Sequence, residues 1–479
     1  MRMNQRQVFR VVSLSLVLCA ANMRPAEAQT QNQKADEKVF TLQSAIQFAA
    51  KNYPAVRAAL ERVNAARAGV SLARTNYLPR ADMLWQTNRA TDNNITGLLL
   101  PQSVLPPISG PVSASPSGNA GWGSAAGLLV SWEAVDFGER HAQVEEARSA
   151  EEQASAEQAV TQFDVEIAAA QAFLNLAAAK ETAKATAANV HRREVFDMVV
   201  RHLAASQLRP GADASRADAE LAAARIELIQ AQEAEASARA EFAELLGIAG
   251  SEVHIQSDSL LQLPAAARSP TDPAYNANPL AVAQRARIAQ VRAEEHVLGR
   301  SYFPHLYLQS AFSGRGSGFN PDGTFAGGTQ GLGLDRGNWA VGVTATFPLM
   351  DFASVHAQKQ VAAANERQRA ALYDQTIQEL TGQWQQAQAA WKASIDVAQN
   401  TPVELAAARD TEKQFAARYK AGLGTISDVA ESQSLLVRAQ TEDALARLSV
   451  WRSLLGFAQV QGHLDPFLKT LDETPKGAN

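Results

Sequence analysis

His191 and His202 lie eleven positions apart in a stretch of strong helix formers, and so on similar faces of one helix. Paired imidazoles could hold a metal ion. Exposed histidines on helices are far commoner than ligands, however, and no His-Glu-x-x-His motif accompanies these two. Asp136-Phe137-Gly138 matches a kinase metal-binding triplet without its kinase companions, at the join between a strand and a helix. Gly314-x-Gly316-x-Gly318 lies in a loop between strands with no helix after it, which is not the setting of a dinucleotide site. There is no phosphate-binding loop. Reactive residue types are therefore present, but not in an arrangement that could use them. No enzyme activity, cofactor or metal is expected.

Composition narrows the remaining classes. Hydrophobic residues make up 46% of the 479 and charged residues 19%, which excludes a charge-dominated disordered chain. The net charge is −5, without the basic surplus a nucleic-acid binder needs. Arg2, Arg6 and Arg10 precede the short apolar run Val11 to Ala21 and the small-x-small site Ala26-Glu27-Ala28. This is the pattern of an export signal over residues 1–28, with a mature chain starting at Gln29 and carrying −8. Cys19, the single cysteine, falls inside the signal, and Leu18 before it is too large for a lipid-anchor site. No later stretch has the ~18–20 apolar residues of a spanning helix. Any membrane span must therefore use strands.

The rest of the chain reads as a repeat. Pro54 and Pro79 recur, at the same separation, as Pro279 and Pro304. Asp136-Phe137-Gly138 recurs as Asp351-Phe352-Ala353, and Leu245-Leu246-Gly247 as Leu454-Leu455-Gly456. Two copies of one unit are thus expected, 29–272 and 273–460, joined where prolines cluster between Pro264 and Pro279, with a tail over 461–479. From Glu139 to Arg209 the chain contains neither Gly nor Pro. One helix of that length would span about 105 Å, against a radius of gyration of about 22 Å for a compact globule of this size. A counterpart runs from Ala353 to Ala421, interrupted only by Gly382 and Pro402. Return helices follow at Ala212–Leu246 and Thr425–Leu455.

Between the helices the period changes from that of a helix to that of a strand. Ala81, Met83, Trp85 and Thr87 share one face. Trp122 to Trp132 alternates, as do Leu306 to Ser313 and Trp339 to Phe347. Such alternation marks strands, and Trp85, Trp122, Trp132 and Trp339 suit an aromatic girdle at a lipid boundary. Long loops join each strand pair, with nine Gly or Pro between Asn88 and Trp122 and ten between Ser313 and Asn338. Four strands in lipid leave two unsatisfied edges, each polar group costing several kcal/mol. One chain cannot close a barrel. Two copies give eight strands, filled by their own side chains, and three give twelve, wide enough for a lumen. The rival is a soluble, secreted coiled-coil structural or adaptor protein, which has no need of such hairpins.

These landmarks, together with Tyr419-Lys420-Ala421-Gly422-Leu423-Gly424-Thr425-Ile426-Ser427-Asp428-Val429 and its weaker relative Leu208 to Arg216, resemble the TolC-type outer-membrane efflux proteins over nearly the whole mature chain. The resemblance implies a mainly α fold with a β-barrel part: long antiparallel helices form a periplasmic helical barrel, and four strands per chain contribute to a trimeric twelve-stranded barrel. It also implies a homotrimer in outer-membrane lipid, extending into the periplasm. Such a trimer is a passive exit duct docked by a periplasmic adaptor protein and an inner-membrane pump. The family closes its tunnel at the periplasmic tip, which places the tip turns at Gly211, Asp213, Gly422 and Gly424. Asp428 and Glu431 match an acidic aperture ring. Asp428 is also near a helix start, where a carboxylate offsets the dipole. Tyr419 fits the family's tip latch. Gly424 stands where a latch arginine can occur, and Arg418 is the substitute expected from sequence.

Overall fold

A computed structural model describes residues 38–91, 118–264, 273–320 and 324–474. The export segment 1–28, Cys19, the mature start at Gln29, most of the first inter-strand loop and residues 265–272 of the proline-rich joint lie outside the described residues. Strand β1 (Lys38–Phe40) leads into helices α1 (Leu42–Asn52) and α2 (Pro54–Thr75). Then come β2 (Arg80–Thr91), β3 (Ala120–Val135), α3 (Glu139–Ala205), α4 (Gly211–Leu245) and β4 (Val253–Ile255). After the joint follow α5 (Pro279–Arg300), β5 (His305–Ser317), β6 (Arg336–Thr346), α6 (Phe352–Lys420), α7 (Ile426–Gln461) and the short α8 (Asp465–Glu473). Helix, two strands, long helix and return helix thus occur twice in the same order.

The 67 residues of α3 and 69 of α6 each give roughly 100 Å of rod at 1.5 Å per residue. Helix α6 runs unbroken through Gly382 and Pro402, although an interior proline costs about 3 kcal/mol. Side chains brace the helix there. Thr401 Oγ1 donates to Asp443 Oδ1 of α7 at 3.0 Å, and Asn400 Nδ2 donates to Asp396 O at 2.8 Å. The return helix α7 extends beyond the expected end at Leu455, so Leu454-Leu455-Gly456 lies inside it. In the first half the matching Gly247 takes a left-handed φ of 73° and ends the helix. In the second half the buried Leu455, Phe457, Ala458 and Val460 hold the helix past Gly456, and the left-handed residue is Gly462. Past Gly462, α8 seats Phe467 edge-on against Trp451.

The largest core sits halfway along α3. Phe40, Phe173, Leu174, Phe242, Leu246, Leu448, Trp451 and Leu455 meet there. The parallel pair β1–β4 ties the start of the chain to the end of the first half. Above and below this equator the buried apolar positions of α3 are small, alanine and valine only: Ala142, Val144 and Ala154 on one side and Ala183, Ala185, Val190 and Val200 on the other. Small side chains let the rods pack closely.

The other sheet is antiparallel, in the order β2-β3-β5-β6. Its register aligns Met83, Leu128, Phe312 and Trp339 across all four strands. Side chains alternate, so these share a face with Trp85, Val130, Leu308, Val341 and Val343. The opposite face carries Gln86, Ser131, Gln309, Asn338 and Thr344, with glycine, alanine and the two leucines Leu84 and Leu129 among them. Both strands β5 and β6 reach into the expected loop, β5 taking in Gly314 and Gly316 and β6 taking in Arg336 and Gly337. Missing Cβ atoms at Gly316 and Gly318 admit the returning loop, where Ser124 Oγ donates to Gly333 O at 2.9 Å and Gly318 N to Trp122 O at 2.8 Å.

Strand β3 passes into α3 through only Asp136, Phe137 and Gly138. Phe137 and Gly138 are left-handed, with φ of 52° and 97°. Asp136 Oδ2 accepts Arg140 N at 2.6 Å and Arg140 Nε at 2.7 Å, both side chains being buried. Arg140 also donates to Asn76 O at 3.3 Å and lies 4.9 Å from the Tyr77 ring. The triplet is a junction brace.

Candidate functional site at the helical tip

Each long helix turns into its return helix through the same backbone motif. At the end of α3, Gln207 N donates to Ala204 O and Leu208 N to Leu203 O, with Gln207 left-handed at φ 56°. At the end of α6, Gly422 N donates to Tyr419 O and Leu423 N to Arg418 O, with Gly422 at φ 80°. Both are Schellman turns, which satisfy the last carbonyls of a helix. Aligning the two turns on their left-handed residues pairs Gln207 with Gly422, Arg209 with Gly424, Gly211 with Ile426 and Asp213 with Asp428.

Tyr419 has no exposed surface and packs with Val200, Ala217, Ile426 and Val429. Phe196 meets its ring edge-on at 5.3 Å. Its hydroxyl donates to Asp213 Oδ2 on α4 at 3.0 Å. Burial and this bond to a carboxylate push the phenol up to about 12, so it stays a donor across the neutral range. The chemistry here is a part-buried hydrogen bond between two helical hairpins.

The arginine beside Tyr419 is Arg209, not Arg418. Arg209 lies 4.3 Å over the Tyr419 ring, and its Nη2 donates to Tyr419 O at 2.7 Å and Gly424 O at 3.3 Å. Arg418 is exposed and rests 5.9 Å from the Phe415 ring. Sequence reading missed Arg209 because its partners belong to the other half of the chain. The one local signal was its place matching Gly424 in the repeat. A second arginine, Arg193 of α3, is buried between the two hairpins and joins three helices. It donates to Glu220 Oε2 at 2.8 Å, Ala430 O at 3.1 Å and Ser434 Oγ at 2.9 Å.

Gly211 opens α4 with open space around its Cα, and Gly424 packs near Tyr419 N and Arg418 Cβ. Asp428 closes a capping box. Its Oδ2 accepts Thr425 N at 2.9 Å while Thr425 Oγ1 accepts Asp428 N at 3.2 Å. Those bonds hold its carboxyl below the usual range, with a smaller contribution from Arg418. Glu431, one turn on, is exposed. At the far end of the molecule, Trp85 and Trp339 are 72% and 75% exposed on the apolar sheet face. Trp122 lies near the loops under Arg89, at 5.6 Å, and Trp132 near the helices, where its Nε1 donates to Tyr77 O at 3.0 Å.

With this geometry in view, comparisons with known proteins are specific. The model of the family described as outer membrane efflux protein matches residues 45–248 and 273–463. No curated protein sequence matches the chain. Among solved structures the chain is similar to CusC (TM-score 0.71, 16% identity, 88% of this chain and 92% of that one). It is also similar to the Vibrio cholerae outer membrane protein VceC (0.67, 17%, 88% and 96%) and to the Campylobacter jejuni outer membrane channel CmeC (0.68, 16%, 91% and 90%).

Proposed function

This chain belongs to the outer membrane efflux protein family, and we propose that three copies of it close into a passive exit duct, loaded by a periplasmic adaptor and an inner-membrane pump. The protein is an outer-membrane channel rather than an enzyme, with its long helices in the periplasm. The observation that carries the trimer is the sheet. Strands β2 and β6 are its two edges, with 12 and 11 residues, and one face is apolar across all four strands. In lipid those edges must pair with further strands. Three sheets give twelve strands, with the glycine, serine and glutamine face around a lumen.

The duct closes at the tip. Tyr419 and Asp213 latch the α6–α7 hairpin to the α3–α4 hairpin, Glu431 and Asp428 line the throat, and opening is a realignment of hairpins driven by the partners. Trp85, Trp122, Trp132 and Trp339 form the girdle at the lipid boundaries, and residues 29–272 and 273–460 are the two structural repeats. Light scattering on protein extracted in mild detergent tests the assembly. Three chains per particle are expected; a monodisperse single chain with its sheet intact overturns the proposal.

A further inference from the structure

We infer that Arg209 is the cation of the tip latch, a positioning residue that fastens the α3–α4 turn to the C-terminal end of α6. The inference rests on the tip closure proposed above and assigns a role in it to a residue outside the Tyr419–Asp213 bond.

The end of a helix presents carbonyl oxygens with no partner along the chain and a partial negative charge. At the end of α6 the Schellman turn occupies one lone pair of Tyr419 O, through Gly422 N at 3.1 Å. Arg209 Nη2 takes the other at 2.7 Å and reaches on to Gly424 O at 3.3 Å. The guanidinium also covers the ring of the same tyrosine at 4.3 Å. A planar fork can do all three, whereas a lysine ammonium is a point charge. The tyrosine has no exposed surface and Arg209 is half-buried, so the cation–π contact and the charge-assisted bonds are partly shielded from water, which strengthens them.

The repeat shows why the cation comes from this side. Arg209 and Gly424 occupy equivalent positions, each two places past the left-handed residue of its turn. The second turn has a glycine there and offers only its carbonyl. The first turn has the long side chain that crosses to it. Arg209 is followed by Pro210, which starts α4 with extended backbone, φ −61° and ψ 146°. The same short connection therefore carries Arg209 on the Tyr419 ring and backbone, and Asp213 on its hydroxyl. Moving the α6–α7 hairpin away from the α3–α4 hairpin breaks all of these contacts together.

The experiment is conductance of the assembled protein in planar bilayers, with particle mass checked for every variant. Arg209→Gln removes the charge and the fork, and is expected to raise the open fraction about tenfold, the effect of losing one charge-assisted bond. Tyr419→Phe is expected to open the tip as well. The double variant should fall short of the product of the two, because both cut one tie. Arg209→Lys should lie between wild type and Arg209→Gln. Wild-type conductance in Arg209→Gln beside an opened Tyr419→Phe overturns the inference and leaves the tip gate standing. Wild-type conductance in Tyr419→Phe, Asp213→Asn and Arg209→Gln alike overturns the tip gate itself and this inference with it. If Arg209→Gln does not assemble, Arg209→Lys decides: conductance above wild type supports the clamp and wild-type conductance overturns it.

Discussion

Arg62 and Arg287 occupy the ninth positions of two proline-started helices, equivalent places in the two halves of the chain, and converge on one carboxylate. Arg62 Nη1 lies 3.3 Å from Glu157 Oε2, while Arg287 Nε and Nη2 lie 3.0 and 2.9 Å from Glu157 Oε1. Equivalent arginines of the two halves thus grip α3 from either side.

Glu157→Gln should therefore weaken both grips. Burial alone would raise the Glu157 pKa, but bonds from Gln153 and Arg287 and the charges of Arg287 and Arg62 outweigh it, so its carboxyl lies below the usual range. Arg62 is exposed and Arg287 partly so, which keeps the cost to about 1 kcal/mol. A lowered folded pKa means that this contribution is present at neutral pH and fades as pH falls through that value. Denaturant melts of wild type and Glu157→Gln at neutral pH and in acid should differ at neutral pH and converge in acid; an equal gap at both refutes the pairing.

The Tyr419 latch should ignore pH across the neutral range. A folded pKa raised from 10.0 to about 12 means that the stabilisation is complete below 10 and is lost as pH rises towards 12. Tip conductance should stay flat from neutral pH to near 10 and rise above it. Phenolate absorbance titrated in wild type against Tyr419→Phe reports the same group, and a tyrosine difference titrating below 10 would refute the buried assignment.

Asp428 and Glu431 should separate in a double experiment. Asp428 is committed to the capping box, so Asp428→Ala removes the acceptor of Thr425 N and weakens the start of α7. Glu431 is exposed with no such task. Glu431→Gln should weaken cation block of the channel without lowering the melting temperature, while Asp428→Ala should do both. Unchanged block in both variants removes these carboxylates from the lumen.

Val341 tests the sheet face. It is 61% exposed between Trp339 and Val343 on the apolar side. Val341→Arg should cost about 2–4 kcal/mol in the bilayer and reduce insertion into liposomes. On the other face, Gly342→Ser should be tolerated. Equal insertion of all three proteins refutes the assignment of faces.

Period-two alternation around Trp339 and the Gly/Pro-free run after Glu139 made the strands and the long rods legible, because these signals are local. Helix ends were less so. Gly247 and Gly456 follow the same Leu-Leu pair, yet buried neighbours at Phe457 and Val460 carry one helix onward. Gly314 and Gly316 read as loop, whereas they leave room for a loop lying on a strand. Tyr419 was singled out from its motif alone, and the structure buries it among both hairpins. Arg209 was not, since only the folded chain brings it to Tyr419.

The Asp136–Arg140 brace has a mechanical consequence. The link between β3 and α3 is only Asp136, Phe137 and Gly138, the last two in left-handed conformations, and a buried ion pair fastens it. The first half therefore has no swivel between its sheet and its rod. A turn of α3 beside this joint is passed to β3 instead of being taken up by a loose connection.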